Sequence, residues 1–123
     1  IASIIAMQPE VIILDEPTSQ LDPQGSEEVF QAVQKLSKKG ITIIMVEHKI
    51  EKIAAYSDRV ILLDEGKLID MDTPQKIFSK ENLHEYGVEA PIFTKICKGL
   101  GIRNNKTLCY PVTLEEAKEV LAK

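Results

Sequence analysis

Two acidic residues, Asp15 and Glu16, follow directly on the apolar run VIIL at 11–14, and a third, Asp22, closes the short stretch PTSQL at 17–21. A histidine, His48, stands two residues beyond a second apolar run, ITIIMV at 41–46. Side chains at the carboxyl end of a parallel strand point into the crevice where open α/β sheets hold their ligands. A carboxylate there suits Mg2+, which takes oxygen ligands, keeps several waters and is often held by one or two carboxylates plus phosphate oxygens. A second carboxylate beside it could polarise a water for attack on a phosphoryl group. Taken alone, these residues leave a plainer alternative open: a strand ending on a solvated turn, an Asp22 that caps the helix behind it, and a surface histidine.

The elements that must position these groups are legible from periodicity and punctuation. Ile1–Met7 reads as the tail of a helix, stopped at Gln8-Pro9 because proline disfavours helical geometry in the residue before it. Val11–Leu14 and Ile41–Val46 are continuous apolar runs, predicting strands of a parallel sheet covered on both faces. Between them Val29, Phe30, Val33 and Leu36 share one helical face, so the spacing predicts a helix over Pro23–Lys39. Asp22 then suits its N-cap, Pro23 its first position, and Gly40 its C-terminal stop. Strand, helix and strand make a βαβ unit with a right-handed crossover.

A short helix is expected near Ile50–Tyr56, followed by a hairpin with strands Arg59–Leu63 and Lys67–Met71 around Glu65-Gly66. Pro74–Ser79 opens another helix. Beyond Glu81, breaks at Gly87, Pro91, Gly99, Gly101 and Pro111 separate amphipathic stretches at Pro91–Leu100 and from Thr113, where Glu116 three residues on completes a capping box. Met7, Met45 and Met71 read as core filler. His84, Glu47 and Lys49 read as solvated.

The 123 residues are 44% hydrophobic and 28% charged, the balance of a globular domain and not of a disordered chain. The net charge of −4, with Lys and Arg spread along the chain, excludes a basic nucleic-acid footprint. No apolar run approaches the roughly 20 residues of a membrane span. Cys97 and Cys109 form neither a metal motif nor a disulfide framework, which suits a reduced, cytoplasmic setting. The chain opens on Ile1 in mid-pattern and is expected to be a piece of a longer one.

VIILDEPTSQLDP resembles the Walker B and D-loop segment of ATP-binding-cassette ATPases, ITIIMVEH resembles that family's next strand and switch histidine, and SDRVILLDEGKLIDMDTP resembles its following hairpin. The three blocks stand in the family's order and spacing. The resemblance implies an α/β fold: the C-terminal part of a P-loop NTPase (RecA-like) core with parallel strands and a terminal hairpin, over 1–80, and a small helical C-terminal extension over 81–123. It implies that Asp15 holds Mg2+ through water, that Glu16 is the catalytic base or orients the attacking water, and that His48 contacts the γ-phosphate of ATP. Ser19, Gln20, Leu21 and Asp22 become the D-loop, which crosses to a second ATPase subunit of a homo- or heterodimer.

None of the six glycines opens the phosphate-cradling G-x-x-x-x-G-K-[ST] pattern, and an LSGGQ-type signature is absent. The isolated chain is therefore expected to be inactive. Without the P-loop strand it has unpaired sheet edges, which it either closes or fills by self-association. TPQKIF and the YPVTLEEAKEVL tail resemble the energy-coupling-factor group of cobalt, nickel and vitamin importers. That implies integral-membrane transporter partners and a peripheral place on the cytoplasmic membrane face. The alternatives are a soluble non-transport ATPase of DNA repair or translation, and a non-enzymatic dimerisation module.

Overall fold

Residues 11–15 and 42–46 pair as parallel strands in the computed structural model, which describes residues 3 and 6–122. The helix end expected over Ile1–Met7 falls largely outside the described residues. The chain divides into two compact units, Ile1–His48 and Lys49–Lys123.

The first unit is strand, helix, strand. β1 (Val11–Asp15) runs in register with β2 (Thr42–Val46), from Val11 opposite Thr42 to Asp15 opposite Val46. α1 (Pro23–Lys38) joins them. Asp22 caps it by accepting from the Gly25 amide at 2.8 Å. A Cβ on Gly25 would meet that same Asp22 oxygen at 2.9 Å, so a larger residue there would have to shift the capping carboxylate. Ile12, Leu14 and Leu36 form the core of this unit, with Val33, Ile41, Ile43 and Met45 against them.

The two-sided burial expected of these strands is not found. Val11, Ile13, Ile44 and Val46 lie on the face away from this core, with Ile13 70% exposed. A single crossover helix covers a single face of a two-stranded sheet, and the period of two sends alternate side chains to the other. Met45 does fill core, whereas Met7 and Met71 are exposed.

The second unit is built on a hairpin. β3 (Val60–Asp64) pairs antiparallel with β4 (Lys67–Asp72), and the register shifts between Leu62 and Leu63. Glu65 and Gly66 both have positive φ, 47° and 74°, as a two-residue type I′ turn demands. α2 (Ile50–Tyr56) precedes it and α3 (Pro74–Phe78), capped by Thr73, follows. Ala54, Leu62, Ile77, Phe78, Leu83 and Val112 make one buried cluster.

After a 3-10 turn at Leu83–Tyr86 come α4 (Ile92–Gly99) and α5 (Leu114–Leu121), with Cys97, Tyr110 and Ala117 buried together. The Thr113 hydroxyl accepts from the Glu116 amide at 3.3 Å, while the Glu116 carboxylate reaches past Thr113 to the Val112 amide at 2.8 Å and the Gln75 side chain at 2.6 Å. Residues on both sides of position 80 thus share one core and one hydrogen-bond network.

β1 and β2 make one two-stranded sheet and β3 and β4 another. β3 takes its nearest neighbour in sequence through a two-residue turn, as the hairpin reading expects, and such a short closure costs little entropy.

Candidate functional site

The β1–β2 ladder continues one step past the strands, with the Glu16 amide donating to the Val46 carbonyl at 2.9 Å. Glu16 then turns the chain with φ 46°, a left-handed conformation uncommon for a residue with a Cβ. The turn is held by the Ser19 amide on the Glu16 carbonyl at 3.3 Å and the Leu21 amide on the Thr18 carbonyl at 3.2 Å. This geometry throws the Glu16 side chain toward the loop leaving β2. There Nε2 of His48 meets Oε1 of Glu16 at 2.6 Å. Both side chains are open to solvent, Glu16 by 43% and His48 by 78%.

Asp15 is the last residue of β1 and is exposed, on the same side of the alternating strand as Val11 and Ile13. Ser19, Gln20, Leu21 and Asp22 form the exposed turn into α1, with the Asp22 carboxylate engaged in capping. The fold therefore brings Glu16 and His48 together at the carboxyl edge of the sheet, puts Asp15 beside Glu16 in the chain, and leaves 19–22 as a separate exposed arc.

Among the described residues no three His, Cys, Asp or Glu side chains gather as a metal cage. The exposed Asp15 carboxylate at the strand tip does fit Mg2+, which needs only one or two carboxylates when waters and phosphate oxygens complete its shell.

Glu47 was expected to be solvated, and is not simply so. Its Oε2 accepts from the Thr18 hydroxyl at 2.7 Å and its Oε1 from the His48 amide at 3.0 Å. Thr18 is fully buried. The signal for this tie is weak in the sequence: an ordinary threonine two residues past Glu16 and a glutamate one before His48, made neighbours only by the parallel register.

Ionisable groups with clearly displaced pKa values lie in the other unit. Lys80 beside Asp70 and Lys98 beside Glu81 hold those carboxyls below their ordinary range, and burial pushes the Cys97 thiol up.

No protein-family model matches the chain. The chain is 43% identical over 122 residues to the energy-coupling factor transporter ATP-binding protein EcfA2 of Streptococcus pyogenes, a match covering 98% of this chain and 44% of that protein. The solved structure of CbiO1 from Clostridium perfringens, described as part of the ABC transporter complex CbiONQ, is 33% identical, with a TM-score of 0.59 over 82% of this chain and 40% of its own. The chain belongs to the ATP-binding-cassette ATPases.

A further solved cassette, MJ1267 of an ABC transporter, is 25% identical with a TM-score of 0.59, over 68% of this chain and 35% of its own. The fold is thus that of the P-loop NTPase domains of this family, and the energy-coupling-factor group is where its sequence fits. The chain spans less than half the length of the curated relatives it matches, 44% of EcfA2, and fits a C-terminal portion of such a subunit.

Proposed function

We propose that this chain supplies the water-activating edge of the ATPase site in an energy-coupling-factor subunit, whose ATP hydrolysis drives import of a metal ion or vitamin. The observation that carries this reading is the 2.6 Å contact between Glu16 Oε1 and His48 Nε2 at the sheet edge, next to Asp15 in the chain. Glu16 takes a proton from the water whose oxygen attacks the γ-phosphorus, the bond to the bridging oxygen breaks, and ADP and phosphate leave. His48 meets the Glu16 carboxylate through Nε2 and, in this reading, contacts the γ-phosphate. Asp15 would hold Mg2+ through water, and the ion supplies neutralisation of phosphate charge when bound. Ser19, Gln20, Leu21 and Asp22 reach across to a second ATPase subunit.

In this reading 1–80 is cassette and 81–123 is an extension appended to it. The partners are integral-membrane transporter subunits, and the place is the cytoplasmic membrane face. No helix among the described residues is long and apolar enough to cross a membrane, which suits a peripheral subunit.

The sequence lacks the glycine-rich phosphate cradle, so the 123-residue chain by itself has nothing to hold the triphosphate in line with Glu16. A phosphate-release assay tests this. The isolated chain is expected to show no Mg-dependent turnover above the blank, and the full-length subunit is expected to show it. Sustained turnover by the isolated chain would contradict the reading that its acids and histidine need a glycine-rich cradle that these 123 residues lack.

A further inference from the structure

Two loops leave the carboxyl edge of the β1–β2 sheet, and two side-chain contacts join them. The outer one, Glu16 to His48, is exposed on both sides. Ion pairs and hydrogen bonds this open to water contribute about 0–1 kcal/mol and do not fix their own geometry. The inner one is different. Thr18 is 0% exposed, and its hydroxyl donates to a Glu47 carboxylate whose other oxygen takes the His48 amide. A buried hydroxyl without a partner is costly, and donation to a carboxylate is among the stronger hydrogen bonds.

Glu47 therefore binds the Glu16 turn through Thr18 and fixes the His48 backbone with the same carboxylate. We propose that Thr18 and Glu47 are positioning residues that hold His48 against Glu16 for attack of water on the phosphoryl group. The inference rests on the functional reading above and adds to it two residues outside the strand-tip acids and the histidine. Glu16 reaches this contact from a left-handed backbone, which persists only where surrounding contacts over-determine it, and the Thr18–Glu47 tie is one of those contacts.

Steady-state ATP hydrolysis by the full-length subunit tests this, with kcat and KM for Mg-ATP measured for Thr18→Val, Thr18→Ser, Glu47→Ala and Glu16→Gln. Misplacement of a reacting group by an ångström can cost about 100-fold, so Thr18→Val and Glu47→Ala are expected to lower kcat about 10- to 100-fold with KM nearly unchanged. Thr18→Ser keeps the hydroxyl and is expected to stay near wild type. If Thr18→Val does not fold, the half-exposed Glu47→Ala carries the same test. Near-normal kcat in Thr18→Val and Glu47→Ala, alongside a dead Glu16→Gln, overturns the inference and leaves the functional reading standing. Equal losses in Thr18→Ser and Thr18→Val also overturn it, since packing and not the hydroxyl would then be at work. Normal turnover in Glu16→Gln overturns the functional reading itself.

Discussion

Glu16 sits in a conformation that costs about 1–2 kcal/mol for an L-residue, and it makes its side-chain contact where water competes for both partners. Neither feature stabilises the fold, so the arrangement is better explained by what the carboxylate does than by what it holds. Asp22 shows the opposite case, since its carboxylate caps α1 and so has a structural use whatever else it does. Asp15, Glu16 and His48 were legible in the sequence because VIILDEPTSQLDP and ITIIMVEH resemble blocks of a known family, whereas the apolar runs alone leave them as strand ends on solvated turns. Thr18 and Glu47 were not, because their partnership depends on a parallel register that no local pattern encodes.

At the scale of elements, punctuation proved more informative than hydrophobicity. Pro23 after Asp22, Thr73-Pro74 and Thr113 with Glu116 each mark a helix start that the structure reproduces, and Glu65-Gly66 marks the hairpin turn. The apolar runs of β1 and β2 misled on burial. Their composition matches strands sandwiched between layers, but α1 covers one face only.

The second unit depends on α3, whose Ile77 is 1% exposed and packs with Leu62, Phe78 and Val112, residues drawn from the hairpin, the helix and the tail. Removing three carbons there leaves a cavity that these elements cannot close together. Ile77→Ala is expected to destabilise the chain by about 2–5 kcal/mol, read as a lowered midpoint in urea unfolding followed by circular dichroism. A loss below about 1 kcal/mol would mean that the tail and the hairpin do not share the core described.

For the molecule as a whole, the first unit carries Val11, Ile13, Ile44 and Val46 on an exposed face and has two strands whose outer edges are unpaired among the described residues. Such a sheet is marginal alone and templates further pairing. We propose that the isolated chain self-associates through it. Sedimentation velocity is expected to show species growing with concentration, and Ile13→Lys is expected to reduce them. A monomer unchanged across the range would contradict this.

Single-turnover hydrolysis of γ-labelled ATP by the full-length Glu16→Gln subunit addresses the water-activating carboxylate most directly. Loss of a general base costs about 10²- to 10⁴-fold, so cleavage is expected to fall by that factor while nucleotide binding stays near wild type. Cleavage within about threefold of wild type would contradict the account, because the carboxylate at the tip of β1 would then not be the group that activates water.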